Sequence, residues 1–469
     1  MSDDTRPSRP RAPTRRKKES PSQLVELFLH IAEHLGFTSD KEIADLAGVS
    51  VENVANWRHG AVQEFKPAKL RAIKSRLGAH IDALEQELGA VDGVLAQGLH
   101  PLEIEEGSGP ADLQRQFRDR VVYDYLGHRF LYYEPMGALA WENLIKRGYD
   151  QDRWLEGVKR AAEAWLDVTK DAHGWCKGPI AHALGLGRKG RSLGLDVISL
   201  GPGEGEKEQQ ILQRVLQATE GSDQRLGWLA YAPVDVSIPL LLTAAGGARQ
   251  VMAKGAAASP RIRNQVKPFC ADFEEGNLSF TQRLPTAIHD DSDGVRLVLL
   301  LGAVFGNVRD EELFVRAKLR KLLRPGDLLW MEVGLRMDPL DREPLYRMTK
   351  PDVEESAAEA NRRLLLEGPY RRWEVATGRK PASVGLRIWV REDDDSCRVP
   401  GAVNFCHDLQ LREERRVCTM LYSRRYELES LSRWFERLGF EVLRLRKVED
   451  SKGQARVAHL LLRAGATPG

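Results

Sequence analysis

A chain of 469 residues with 42% hydrophobic and 29% charged side chains is long enough for two or three domains, each with its own core. A formal net charge of +2 excludes a global basic field, so any nucleic-acid surface must be local. Five cysteines, odd in number and without a C-x-x-C pair, fit reduced thiols in a cytoplasmic protein, and no apolar run approaches the ~18 residues of a membrane span.

The chain opens on a basic arm. Arg6 to Lys18 holds seven Lys/Arg and no acid, with Pro7, Pro10 and Pro13, which predicts disorder over residues 1–20. The arm lacks an apolar h-region and is no signal peptide; it suits phosphate tracking or a solubilising tail equally. Within residues 21–100, Lys41–Ala47 predicts a short amphipathic helix with Ile43, Leu46 and Ala47 inward. Gly48-Val49-Ser50 is a turn with Ser50 as N-cap. Val51–His59 follows as a second helix, burying Val54 and Trp57 and ended by Gly60. The piece from Glu42-Ile43-Ala44 to Ala47-Gly48-Val49-Ser50 resembles the repressor-type helix-turn-helix family. That resemblance implies a second helix in the DNA major groove, with Glu52, Asn53 and Asn56 facing bases and Arg58, Lys66 and Lys69 facing phosphates. The same fold also serves protein contacts, and residues 1–80 carry 14 basic against 10 acidic side chains, a modest excess for DNA.

Leu70, Leu77, Leu84 and Val91 recur every seven residues beside Ile73, Ile81, Leu88 and Leu95. This narrow seam suits either a homodimeric coiled coil or packing on its own domain. Gly78, Gly89 and Gly93 weaken it. Residues 101–111, rich in Gly, Pro and acids, read as a linker. The aromatic-rich region 112–190 reads as helical, most clearly over Trp154–Thr169, and Tyr132 and Tyr133 suit either a core or a site-covering role.

From residue 191 the pattern changes to apolar strands alternating with helical segments. Leu195–Leu200, Gly227–Ala232, a segment ending in Phe269-Cys270-Ala271-Asp272-Phe273, Val295–Leu301 and Asp327–Val333 predict a parallel sheet covered on both faces. The first strand runs into Gly201-Pro202-Gly203-Glu204-Gly205-Glu206-Lys207, a glycine turn opening a helix. Such a turn brings backbone N–H groups to a nucleotide-like ligand at a strand end. Asp235, after the second strand, stands where a ribose diol is hydrogen-bonded. Asp272 suits an adenine amino group and Phe273 the face of its ring.

The pieces Leu200–Lys207, Tyr231-Ala232-Pro233-Val234-Asp235-Val236-Ser237, Ala271-Asp272-Phe273 and Leu301-Gly302-Ala303-Val304-Phe305-Gly306-Asn307 resemble, over roughly residues 190–465, the S-adenosylmethionine-dependent methyltransferases of the ergothioneine-pathway histidine Nα-methyltransferase type. The resemblance implies a class I methyltransferase fold: an α/β, Rossmann-like, doubly wound sheet. It implies S-adenosylmethionine as cofactor, held by Gly201, Gly203, Gly205, Lys207, Asp235, Asp272 and Phe273. It places Asn307 against the substrate amine, with Tyr346 a loose counterpart of a substrate-side tyrosine. By the same resemblance Thr419–Phe440 looks like the last helix, and Phe440–Arg446 with Val457–Arg463 like a closing hairpin. This chain departs at Ser199, where an acid is common, and at Leu386–Val390, the nearest match to a glutamate-bearing substrate strand, which holds no acid.

Methyl transfer from a sulfonium requires no metal. Cys406-His407 reads as structural, and the acidic stretch Arg391–Asp395 as a solvated loop without calcium-ligand spacing. The fourth strand ends without the Asp/Asn-Pro-Pro-aromatic run of nucleic-acid base methyltransferases. The leading expectation is an N-methyltransferase acting on an amine of a small molecule or peptide, fused to the helix-turn-helix. The alternatives are a transcriptional regulator that senses S-adenosylmethionine without turnover, and a scaffold that uses both folds for protein contacts.

Overall fold

The computed structural model describes residues 29, 39–58, 73, 102–120, 125–146, 151–186, 193–220, 226–258, 262–288, 294–340, 362, 365–370, 387–411, 416–449 and 453–466. The basic arm, Gly60, Lys66, Lys69, Tyr346 and every heptad position except Ile73 lie outside the described residues. The chain divides into two compact units, Met1–Leu99 and His100–Gly469.

In the first unit, helices Asp40–Ala47 and Val51–Arg58 are joined by a three-residue turn. Ser39 caps the first helix: its hydroxyl accepts from the Glu42 N–H at 3.2 Å, and its own N–H donates to Glu42 Oε2 at 2.9 Å. Such a reciprocal cap stabilises a helix start by about 1 kcal/mol. Gly48 ends the helix at φ 64°, and its N–H closes on Ala44 and Asp45 carbonyls. Ile43, Ala44, Ala47, Val54, Trp57 and Ile73 make a small buried core.

The second unit is built on strands β1 (Glu103–Ile104), β2 (Gly194–Leu200), β3 (Trp228–Asp235), β4 (Arg263–Val266), β5 (Phe269–Cys270), β6 (Gly294–Leu300), β7 (Leu328–Gly334), β8 (Arg387–Glu392), β9 (Val403–Leu411), β10 (Arg416–Arg425), β11 (Phe440–Glu449) and β12 (Ala455–Ala464). The larger sheet has the order β1-β5-β3-β2-β6-β7-β12-β11, with β4 also pairing β3. All its pairs are parallel except β7 with β12 and β12 with β11. The chain leaves β2 toward β3 on one side and returns to β6 on the other. Strand order therefore reverses beside β2, the kind of point where such sheets bind ligands.

Strands β2, β3 and β7 are buried throughout, because both faces are covered. Leu195 and Val197 meet Ile211 and Val215 of the helix Glu206–Thr219 on one face. Ile198 and Leu200 meet Phe305, Phe314 and Phe435 on the other. A separate antiparallel sheet, β10-β9-β8, shares a core with Phe117, Phe130 and Leu131 from the helices that precede β2. Among the described residues no helix is long and apolar enough to cross a membrane.

Three local expectations are corrected. Residues 102–111 of the expected linker are built into the fold: Glu103-Ile104 pairs with Phe269-Cys270, and a helix begins at Pro110. Their polarity serves contacts, not solvation. Glu103 pairs with Lys267 and Arg283, Glu105 Oε1 accepts from the Ser279 N–H at 2.6 Å, and Ser108 Oγ accepts from the Asp272 N–H at 3.0 Å. Within Thr419–Phe440 only Leu428–Arg437 is helix; the chain stays in β10 up to Arg425, bonded to β9. The strand near Leu386–Val390 continues to Glu392, and Arg391 of the acidic stretch binds Asp408 and Asp393, so that stretch is partly sheet.

Candidate active site

The carboxyl end of β2 passes into the glycine turn, with Gly201, Gly203 and Gly205 at φ 66°, 59° and 77°. Side chains rarely adopt these angles. The crowding differs at each glycine. A Cβ at Gly203 would lie 3.3 Å from Trp141 Nε1, whereas one at Gly205 would lie 2.8 Å from Ala244 Cβ. Gly205 thus allows the helix Glu206–Thr219 to approach the helix Ile238–Ala258, which positions the turn.

Gly201, Gly203, Gly205, Lys207, Asp235, Asp272, Phe273 and Asn307, widely spaced in sequence, line one cleft. The cleft encloses about 1150 Å³, solvent at its mouth included.

Asp235 ends β3 and is 8% exposed. Its Oδ1 accepts from the Ser237 N–H at 2.9 Å, and burial pushes its carboxyl up to about 6. Asp272 is more heavily engaged than its expected role requires. Oδ1 accepts from the Glu274 and Glu275 N–H groups at 2.9 and 3.1 Å, and Oδ2 accepts from Arg129. An adenine amino group would share Oδ2 with that guanidinium. Phe273 packs with His128 at 5.8 Å between ring centroids and with Phe314 at 6.2 Å.

Lys207 lines the cleft, but its Nζ lies 2.9 Å from Oε1 of Glu332, a fully buried residue of β7. The same oxygen accepts from the Gly302 N–H at 2.9 Å. One carboxylate thus ties β7, the turn after β6 and the helix after β2 together.

Asn307 closes the short helical turn Val304–Asn307, entered through Ala303 at φ 60°. Arg424 of β10 fixes the following stretch: it is fully buried, donates to the carbonyls of Val308 and Arg309, and pairs with Glu311 at 3.2 Å. Arg309 in turn donates its N–H to Glu274 Oε1 at 2.5 Å. Burial raises the Glu274 carboxyl to about 7. Its other oxygen is 3.6 Å from Nδ1 of His128, a cleft-lining imidazole that burial lowers to about 4 and so keeps neutral at pH 7.

His128, Arg129, Trp141 and Glu208 also line the cleft, and sequence reasoning did not assign them to the site. The signal for two of them was present: His128-Arg129 interrupts an otherwise apolar run from Leu126 to Leu131. The two tyrosines divide, for Tyr132 lines the cleft and Tyr133 is buried in the core of the small sheet.

Residues 180–460 match the family described as "Histidine-specific methyltransferase, SAM-dependent". The chain belongs to this family of enzymes. S-adenosylmethionine is therefore its cofactor, and the cleft's donor set suits that molecule: acids for a diol and an amine, an aromatic ring for a base, and a bare glycine turn. No curated protein matches the chain. Among solved structures, an S-adenosylmethionine-dependent methyltransferase from Clostridium acetobutylicum is 11% identical, covering 70% of this chain and 98% of its own, with TM-score 0.31. The 1,6-didemethyltoxoflavin-N1-methyltransferase of Burkholderia thailandensis is 13% identical, covering 70% and 88%, with TM-score 0.31. The glycopeptide N-methyltransferase MtfA, solved with S-adenosylmethionine, is 14% identical, covering 60% and 84%, with TM-score 0.27.

Proposed function

We propose that this methyltransferase, of class I type, transfers a methyl group to an amine nitrogen of a small molecule or peptide. In this reading Gly201, Gly203, Gly205, Lys207, Asp235, Asp272 and Phe273 hold S-adenosylmethionine, and Asn307 orients the acceptor. The observation that carries the reading is that these side chains, drawn from four strand ends, line one cleft. The two engaged residues take adjusted roles: Lys207 braces the turn through Glu332, and Asp272 acts together with Arg129.

The cofactor supplies an electrophilic methyl group on a sulfonium, so the chain's main task is to position the acceptor. The Asn307 amide fixes the direction of the amine lone pair. The acceptor nitrogen must arrive neutral, and the proton that the methylated nitrogen then loses passes to solvent; burial disfavours a charge on His128, which therefore serves as a neutral wall of the cleft. Family membership favours turnover over mere sensing of the cofactor. Incubation with S-adenosylmethionine and a panel of amines, free histidine included, tests the reading by release of S-adenosylhomocysteine. Amine-dependent release with a methylated nitrogen in the product is expected; methylation of oxygen or carbon acceptors only would overturn it.

The N-terminal helix pair fits a DNA-binding role in the same proposal. Asn56 is exposed on the second helix. Asn53 Nδ2 is 2.8 Å from Ser50 Oγ, and Arg58 Nε is 2.8 Å from Asp40, both exposed bonds that a nucleic-acid partner can replace.

A further inference from the structure

Ser199 leaves the end of β2 without the acid common at that position, yet an acid stands beside it. Glu208, in the first turn of the helix Glu206–Thr219, accepts from Ser199 Oγ at 2.7 Å through Oε1. Glu208 is 2% exposed and lines the cleft. Its Oε2 is buried with no hydrogen-bond partner among the described residues. A buried carboxyl oxygen left unpaired is costly, and its natural complement is an N–H donor, best a cationic one.

The strand order says which part of a ligand reaches it. Phe273 follows β5, Asp235 ends β3, and Ser199 lies in β2, with β3 between β5 and β2. A nucleoside with its ring on Phe273 and its diol on Asp235 must direct its 5′ substituent toward β2. In S-adenosylmethionine that substituent is an amino acid bearing an α-ammonium group. We propose that Glu208 is the binding residue for that ammonium, the acid having moved from the strand end to the following helix, with Ser199 holding its Oε1 in place. The inference rests on the proposed placement of S-adenosylmethionine in this cleft.

Calorimetry on the full chain with two probes tests it: S-adenosylhomocysteine, and 5′-methylthioadenosine, which keeps the adenine and ribose but lacks the amino acid. For wild type, tighter binding of S-adenosylhomocysteine is expected. Glu208→Gln is expected to weaken S-adenosylhomocysteine by about tenfold or more while leaving 5′-methylthioadenosine unchanged. The double variant Ser199→Asp with Glu208→Gln, which returns the acid to the strand, is expected to recover most of the loss. Unchanged S-adenosylhomocysteine affinity in Glu208→Gln, or an equal loss for both probes, would overturn the proposal. If Glu208→Gln does not fold, the double variant decides: preference for S-adenosylhomocysteine retained supports the proposal, and preference lost refutes it. Wild type that binds neither probe would instead refute the cofactor placement itself.

Discussion

Asp235 and Glu208 are acids whose surroundings raise their pKa, and the direction has consequences. Burial pushes Asp235 up to about 6 and Glu208 to about 7, so each resists ionisation in the free protein. A raised carboxyl stabilises the fold fully below its unfolded value, and that contribution is lost as pH rises through the folded one. Ligand binding runs the other way: a diol and an ammonium both favour the ionised acids. Cofactor affinity is therefore expected to fall as pH drops from 8 through 7 and 6, with proton release measurable by calorimetry in buffers of different ionisation enthalpy. Affinity independent of pH across that range would contradict these roles. Asp235→Ala removes the diol's acceptor and is expected to weaken binding by about 1–3 kcal/mol at pH 7.5. Normal affinity in a folded Asp235→Ala protein would show that the diol lies elsewhere.

At the scale of elements, the Lys207–Glu332 pair couples two strand ends to the helix after β2. Removing one partner of a buried pair leaves an uncompensated charge, so Glu332→Ala is expected to cost about 3–5 kcal/mol in denaturant unfolding. A loss below ~1 kcal/mol would mean that the pair does not brace the site. The strands themselves were legible in sequence, since runs such as Leu195–Leu200 and Val295–Leu301 are apolar enough to demand burial on both faces. The glycine turn was legible through the positive φ that Gly201, Gly203 and Gly205 accommodate. Less legible was anything whose meaning depends on a distant partner. Glu103 and Glu105 looked like linker acids because Lys267, Arg283 and Ser279, which satisfy them, lie more than 160 positions away. Glu208 carried no signal of its own in the sequence, because only its contact with Ser199 gives it a place in the cleft.

At the scale of the molecule, two units carry two kinds of surface. The larger holds the cleft proposed for S-adenosylmethionine, and the wall of that cleft draws on His128, Arg129, Tyr132 and Trp141 from the region before the sheet. Periodicity could show that this region is helical but not where it packs, because the contacts that place it come from the sheet and from β8–β10. The smaller unit has a compact core around Trp57 and the exposed Asn56. Replacing Asn53 and Asn56 together by Ala is expected to reduce sequence preference while leaving salt-dependent DNA binding, as read by competition against random duplex. Sequence preference equal to that of wild type would remove the second helix as the reader.

The most direct test of the account is calorimetric titration of the folded full chain with S-adenosylmethionine and S-adenosylhomocysteine. Saturable one-to-one binding of both, weakened by Asp235→Ala, is expected. Absence of heat and of thermal stabilisation with either ligand would contradict the assignment of the cleft at the carboxyl ends of β2, β3, β5 and β6.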